Sequence, residues 1–395
     1  MNKKTIRDID IKNKRVLVRV DFNVSMTSGS VIGDDYRIQQ TIPTIEYLIE
    51  NNCTIFLTSH FGRPKGKVNK KYSLAPVAKH LKKLMKKEVF FCKDDVRDKD
   101  TRKKLLNYKP KSIVLLENIR FYPEEIINSK KFAKKLAGIA EIYVCDAFGV
   151  SHRTHASIVG VADYLPGVAG LLLEKEVDII SNALEKPKRP MVAIIGGAKA
   201  LDKITLVGKL LDKADHCLVG GGTANTFLKA WGYKVGKSKV CHEMVELTRQ
   251  LFWKASRKNT GLLIPTDVVL GDLENNKVNG VVPSDEIPQK WQALDIGPRT
   301  KAEFGSVIAK AQTIIWNGPM GVFEKKEYRD GTDFIYYSIA QNRDSMSIVG
   351  GGDTLSALPK KEYLDVIDHV STGGGAMLEF IEKGTLPGVE ALEDK

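Results

Sequence analysis

Residues 190–204 read PMVAIIGGAKALDKI, and that stretch decides the fold class. Met191 to Ile195 form an unbroken apolar run, the pattern of a strand buried on both faces of a parallel sheet rather than on one. Gly196 and Gly197 end the run, and Ala198-Lys199 lead into a stretch compatible with a helix. A strand that stops in glycine at a helix start is where an open α/β sheet offers backbone N–H groups to an anion.

The same grammar extends in both directions. Upstream lie RVLVRV (15–20), CTIFLTSH (53–60), EVFFC (88–92), SIVLLE (112–117) and EIYVCDAFG (141–149). Downstream lie HCLVGGG (216–222), GLLIPTDVVL (261–270), TIIWNGP (313–319) and MSIVGGGD (346–353), each read as one strand. Between strands, Ile38, Ile42, Ile45, Leu48 and Ile49 fall at helical spacing, with Pro43 expected near the first turn. Leu74, Val77, Leu81, Leu84 and Met85 do the same. Strand–helix alternation repeated so often predicts α/β architecture with doubly wound parallel sheets.

A chain of 395 residues is too long for one core and suggests about two or three units. GVAGLLLEKEVDIISNALEKPKRP (167–190) reads as one long helix followed by a connector. The expected division is an N-terminal domain over 1–168, an interdomain helix and linker over 169–189, a C-terminal domain over 190–375, and a segment over 376–395 that returns to the first domain.

The chain carries 61 Lys+Arg against 48 Asp+Glu, a net +13, which favours anionic partners: nucleic acid, an acidic membrane surface or small phosphorylated molecules. Composition does not choose among them. No window approaches the roughly 18 apolar residues of a membrane span, and the start, MNKKTIRDIDIKNKRV, has no signal-type apolar stretch. The five cysteines are scattered with no CxxC pair, arguing against a disulfide framework or a zinc site. A reduced, cytoplasmic protein is expected.

Four glycine-rich strand ends stand out: Gly196-Gly197, Gly220-Gly221-Gly222, Gly350-Gly351-Gly352 before Asp353-Thr354, and Gly373-Gly374-Gly375. A glycine after a strand can serve a tight turn alone; four of them, one beside a carboxylate able to hold Mg²⁺, point to phosphate. The dinucleotide fingerprint fails, because Gly220 and Gly222 are followed by Asn225, and Gly350 and Gly352 by Leu355. The P-loop also fails: Gly232 to Gly236-Lys237-Ser238 is one residue short.

In the first half, Asp21, Asn23, His60, Arg63, Arg120, His152, Arg153 and His155 follow strands, and Arg37 starts the first helix. Guanidinium groups gathered at one end of a sheet make a cradle for phosphate and carboxylate. The lysine runs KGKVNKK (65–71) and KHLKKLMKK (79–87) lack interleaved aromatics and read as solvated surface, although they and the net charge support a non-catalytic nucleic-acid-binding protein as the second reading.

RVDFNV (19–24), DDYRI (34–38), SHFGRP (59–64), LLENIRF (115–121), DAFGVSHRTHAS (146–157) and IIGGAKALDKI (194–204) resemble the phosphoglycerate kinase family. So do LVGGG (218–222), IPTDV (264–268), LDIGP (294–298), WNGPMGVFE (316–324), IVGGGDT (348–354) and STGGGAMLE (371–379), in order along the whole chain. The resemblance implies two Rossmann-like domains joined by an interdomain helix and hinge, and Mg²⁺-dependent exchange of a phosphoryl group between 1,3-bisphosphoglycerate and ADP, giving 3-phosphoglycerate and ATP, by in-line transfer after hinge closure. It implies that Asp21, Asn23, Arg37, His60, Phe61, Gly62, Arg63, Arg120 and Arg153 hold the phosphoglycerate. Gly197, Lys203, Gly220, Gly221, Asn317, Glu324, Gly350, Gly351, Gly352, Asp353 and Thr354 are implied for the nucleotide, with Asp353 on Mg²⁺. Arg37, Lys199, Gly352 and Gly375 are implied at the phosphoryl group in flight. A monomer with no nucleic-acid or membrane partner is implied too. Leu201, Thr223-Ala224-Asn225 and Met377 depart from the family pattern; Met377 stands where a hydroxyl is usual.

Overall fold

The computed structural model describes residues 1–27, 31–275, 277–357 and 365–395. The chain divides into two compact units, one of Met1–Asp178 with Lys383–Lys395 and one of Ile179–Glu382. The division falls inside helix Leu171–Glu185.

The first unit holds a parallel six-stranded sheet whose order is Val89–Cys92, Ile113–Leu116, Thr54–Thr58, Arg15–Val20, Ile142–Asp146, Gly167–Ala169. The order reverses at Arg15–Val20, so neighbouring crossovers leave in opposite directions and open a crevice at the carboxyl end of that strand. Val16, Val18 and Val20 pack with Ile38, Ile45 and Leu48 of helix Tyr36–Glu50 in one apolar cluster. Each such side chain, fully buried, contributes about 1.5–3 kcal/mol relative to exposure. Ile42 and Ile49 are only partly buried, and Pro43 lies in the interior of the helix rather than its first turn. Helix Ala75–Met85 buries Val77, Ala78, Leu81 and Met85, which leaves its lysines on the outer face.

The second unit has the sheet order Gly261–Leu263, His216–Val219, Met191–Ile195, Thr313–Asn317, Met346–Gly350, His369–Val370, all parallel. Taken in chain order this is 3-2-1-4-5-6, the doubly wound nucleotide-binding topology. Its switch point lies between Met191–Ile195 and Thr313–Asn317. The run 261–270 is not one strand. It splits into Gly261–Leu263 at the edge of this sheet and Asp267–Asp272 at the centre of an antiparallel sheet with Lys277–Pro283 and Gln292–Ile296. Pro265, which cannot donate to a ladder, sits at the break. Likewise 167–190 is not wholly helical, since Gly167–Ala169 is a strand before the helix.

Candidate active site

In the first unit the parallel strands deliver their polar followers to one end of the sheet. Arg37, the second residue of helix Tyr36–Glu50, donates from Nη1 to Asp21 Oδ2 and to the Asn23 carbonyl, each at 3.1 Å. Asn23 Oδ1 accepts from Gly62 N at 2.8 Å, and the Gly62 carbonyl accepts from Arg120 Nη1 at 3.0 Å. Gly62 has φ +60, and a Cβ there would lie 2.4 Å from the Tyr72 ring, so both backbone and space demand glycine. Asn118, fully buried, pins the loop from beneath: its Oδ1 accepts from Phe61 N and Arg120 N, and its Nδ2 donates to the carbonyls of Phe61 and Tyr72. Asp21, Asn23, Arg37, Phe61, Gly62 and Arg120 are therefore one hydrogen-bonded assembly. Arg63 and Arg153 are exposed.

His60 is buried against this assembly, with Nδ1 3.5 Å from Arg19 Nη2 and 3.6 Å from Asp21 Oδ1. Burial, then the charges of Arg19, Arg120, Arg37 and His155, hold its pKa well below the ordinary value. The ring is neutral at pH 7, so its contact with Asp21 is polar rather than an ion pair. His155 is lowered to about 4, first by burial and then by Arg120, Arg19 and Arg153. Arg120, lowered to about 10 chiefly by burial, remains a cation. Arginines thus carry the positive charge here, and the histidines supply neutral hydrogen-bonding edges.

In the second unit Lys199 directly precedes helix Ala200–Leu210, and Lys203 lies on that helix, 8% exposed. Burial lowers Lys203 to about 8 against the opposing pull of Asp353 and then Asp202, which places Lys203 in the field of Asp353. Thr354 Oγ1 accepts from Gly318 N at 2.7 Å and donates to the Gly350 carbonyl at 2.9 Å, tying two strand ends together. Asn317 Nδ2 is buried without a hydrogen-bond partner among the described residues, an unmet donor at the switch point. Glu324 is exposed in the loop beyond. A cavity of about 650 Å³ lies beside Lys199, between Ala198, Gly222 and Val240.

The glycines divide into two kinds. A Cβ on Gly196 would meet the Pro319 carbonyl at 2.2 Å, on Gly221 that same carbonyl at 2.6 Å, and on Gly374 the Gly351 Cα at 2.3 Å. Those positions are glycine because backbone crosses backbone. On Gly352 and Gly375 a Cβ would meet nothing within 4 Å, and both lie in the first turn of a helix, Gly352–Ala357 and Gly374–Lys383. Their N–H groups stay open to an anion. Gly220 and Gly350 are covered by methionine sulfur: a Cβ would lie 2.3 Å from Met320 Sδ and 2.6 Å from Met377 Sδ, respectively. Met377, the departure from the family pattern, is therefore a core filler. Leu201 is half exposed and Asn225 is buried.

Asp353 fits a magnesium ion held mainly by its substrate. It is exposed in the first turn of its helix, and no group of three or more potential metal-ligating side chains occurs among the described residues. Mg²⁺ commonly takes one or two carboxylates and completes its shell with phosphate oxygens and water.

His155, already marked as a strand-end residue, joins the first assembly, and so do Arg19, Ser157 and Glu125, which the sequence reading did not single out. The available signal was Arg19 itself, a charge in the interior of RVLVRV where Arg15 stands only at its start, and Arg19 is fully buried.

A doubly wound unit with an arginine cradle and a doubly wound unit with open helix N-termini define a phosphotransferase. The family model described as phosphoglycerate kinase matches residues 6–384. The phosphoglycerate kinases of Pelotomaculum thermopropionicum and Moorella thermoacetica are each 47% identical over 396 residues, covering 100% of both chains. Among solved structures, that of phosphoglycerate kinase from Coxiella burnetii matches with TM-score 0.86 and 41% identity, and that from Pyrococcus horikoshii with 0.81 and 30%, each over 98% of both chains. The chain belongs to the phosphoglycerate kinase family and is a phosphotransferase with a carboxyl group as acceptor.

Proposed function

We propose that the first unit of this glycolytic kinase holds 3-phosphoglycerate or 1,3-bisphosphoglycerate through Asp21, Asn23, Arg37, His60, Phe61, Gly62, Arg63, Arg120 and Arg153. The second unit holds ADP or ATP through Gly197, Lys203, Gly220, Gly221, Asn317, Glu324 and residues 350–354. Bound Mg²⁺ neutralises nucleotide phosphate charge, with Asp353 as its protein ligand. The observation that carries this reading is the segregation of chemistry: arginines and neutral histidines end the strands of one sheet, while unblocked helix N-termini and Lys203 end those of the other.

Phosphoryl transfer asks little covalent work of the protein, so catalysis is positioning plus charge stabilisation at the equatorial oxygens. Arg37, Lys199 and the N–H groups of Gly352 and Gly375 are suited to that charge. A terminal phosphate oxygen of ADP, already ionised at neutral pH, attacks the acyl-phosphate phosphorus of 1,3-bisphosphoglycerate without a general base. The bond to the carboxyl oxygen breaks to release the carboxylate of 3-phosphoglycerate. The lowered pKa values of His60 and His155 make them weak bases, in keeping with this. In-line transfer follows a hinge closure that brings the two bound ligands to reaction distance.

We place the enzyme in the cytoplasm, as a monomer acting on small anions. All five cysteines are free thiols, in keeping with a reducing compartment, and no helix among the described residues is long and apolar enough to cross a membrane.

The test is turnover of purified protein with 3-phosphoglycerate, ATP and Mg²⁺, read by coupled ADP release. Turnover with that acid is expected, and none would overturn the reading. Tight duplex or single-strand binding with a steep salt dependence would favour the nucleic-acid alternative.

A further inference from the structure

Behind the arginine cradle lies one fully buried carboxylate that the reaction, as described, does not use. Glu125 belongs to the short helix Pro123–Ile126 and is 0% exposed. It grips Ser157 at two points: Oε2 accepts from Ser157 N at 2.9 Å, and Oε1 accepts from Ser157 Oγ at 2.6 Å. Its main-chain carbonyl accepts from Ala156 N at 2.9 Å, so the loop after strand Ile142–Asp146 is clamped by both the side chain and the backbone of one residue. Oε1 is also 3.7 Å from His155 Nδ1.

Ser157 passes the contact onward. Its Oγ donates to Glu125 and accepts from Arg19 Nε at 2.8 Å, and Arg19 in turn reaches His60. Arg19, Ser157 and Glu125 are all fully buried. A buried carboxylate costs several kcal/mol of desolvation, and retaining one amid arginines suggests a task beyond packing. Burial pushes the Glu125 carboxyl up, while Arg19, the two Ser157 hydrogen bonds and Arg120 favour the anion.

We propose that Glu125 is a positioning residue for the acid substrate: through Ser157 it fixes the fork of Arg19 and the loop bearing Arg153 and His155, and so sets the shape of the cradle. It touches no reacting atom. The proposal rests on the assignment of the acid to the first unit, and the experiment separates the two.

The KM values for 3-phosphoglycerate and for ATP, and kcat, are measured for Glu125→Gln, Ser157→Ala, the double variant, and Arg63→Ala as the marker of the cradle. Glu125→Gln keeps volume but removes the charge and one of the two oxygens that accept from Ser157. Its KM for 3-phosphoglycerate is expected to rise about tenfold, the scale of one charged hydrogen bond. Its KM for ATP should stay within about twofold. Ser157→Ala, the milder lesion, should give the same split, and the double variant should be no worse than the worse single, because both cut one chain of contacts. A loss of thermal stability with both KM values unchanged, or fully additive effects, would overturn the positioning role. If Arg63→Ala also leaves the KM for 3-phosphoglycerate unchanged, the assignment of the acid to this unit fails instead.

Discussion

Arg37 spends a single nitrogen on the protein: Nη1 serves both Asp21 Oδ2 and the Asn23 carbonyl, each at 3.1 Å. Nε and Nη2 make no hydrogen bond among the described residues, so the guanidinium is aimed by its own unit and still has donors for a phosphoryl oxygen. Arg37→Ala is expected to lower kcat by about 10²–10⁴ while circular dichroism stays unchanged. Near-normal turnover in the folded variant would remove Arg37 from the reaction.

The glycines make a paired prediction. Gly374→Ala would drive a methyl into the Gly351 Cα, so thermal stability should drop by several degrees. Gly352→Ala and Gly375→Ala have open space and helical positions, so their melting temperatures should hold. Their kcat should nonetheless fall at least about tenfold, because a Cβ stands where an anion approaches the N–H groups. Unchanged kcat in both would mean that these helix starts do not meet phosphate.

Lys203 titrates close to physiological pH. With its pKa near 8, it is a cation at pH 7 and largely neutral by pH 9. ATP affinity, followed by calorimetry, should therefore weaken as pH rises through about 8. Since Asp353 favours the charged form of Lys203, Asp353→Asn should move that inflection to lower pH, besides weakening Mg-nucleotide binding. A flat affinity between pH 7 and 9 would sink the assignment.

Asp146 ends strand Ile142–Asp146, and its Oδ1 accepts from Leu172 N and Leu173 N at the start of helix Leu171–Glu185. Burial raises its pKa from 3.8 to about 7. The folded state thus holds the proton more tightly than the unfolded state, so its contribution is fully present below about 4 and is lost as pH rises to about 7. Asp146→Asn removes this penalty, and its stability relative to the parent should climb by at most about 1.4 kcal/mol per pH unit in that window. Urea denaturation at pH 5, 6 and 7 reads the slope; a constant difference would show that Asp146 ionises normally.

The main sheets were legible because their central strands are buried on both faces, and RVLVRV or MVAII can hardly be read otherwise. The run 261–270 failed where periodicity carries no information: both halves are apolar, and only Pro265 hints that they join different sheets. Strand-end arginines and glycines led to the anion sites proposed above, because polar residues after continuous apolar runs are easily seen.

Linear order therefore determined the doubly wound class, the residue types of both sites and the family resemblance, all of which depend on local pattern. Which glycines are packed against backbone and which stand open, whether a histidine is charged, and the link from Glu125 through Ser157 to Arg19 were decided by tertiary structure. Arg19 and Ser157 are 138 positions apart and Ser157 and Glu125 are 32 apart, and steric fit, desolvation and Coulomb interaction depend on distance in space rather than separation in sequence.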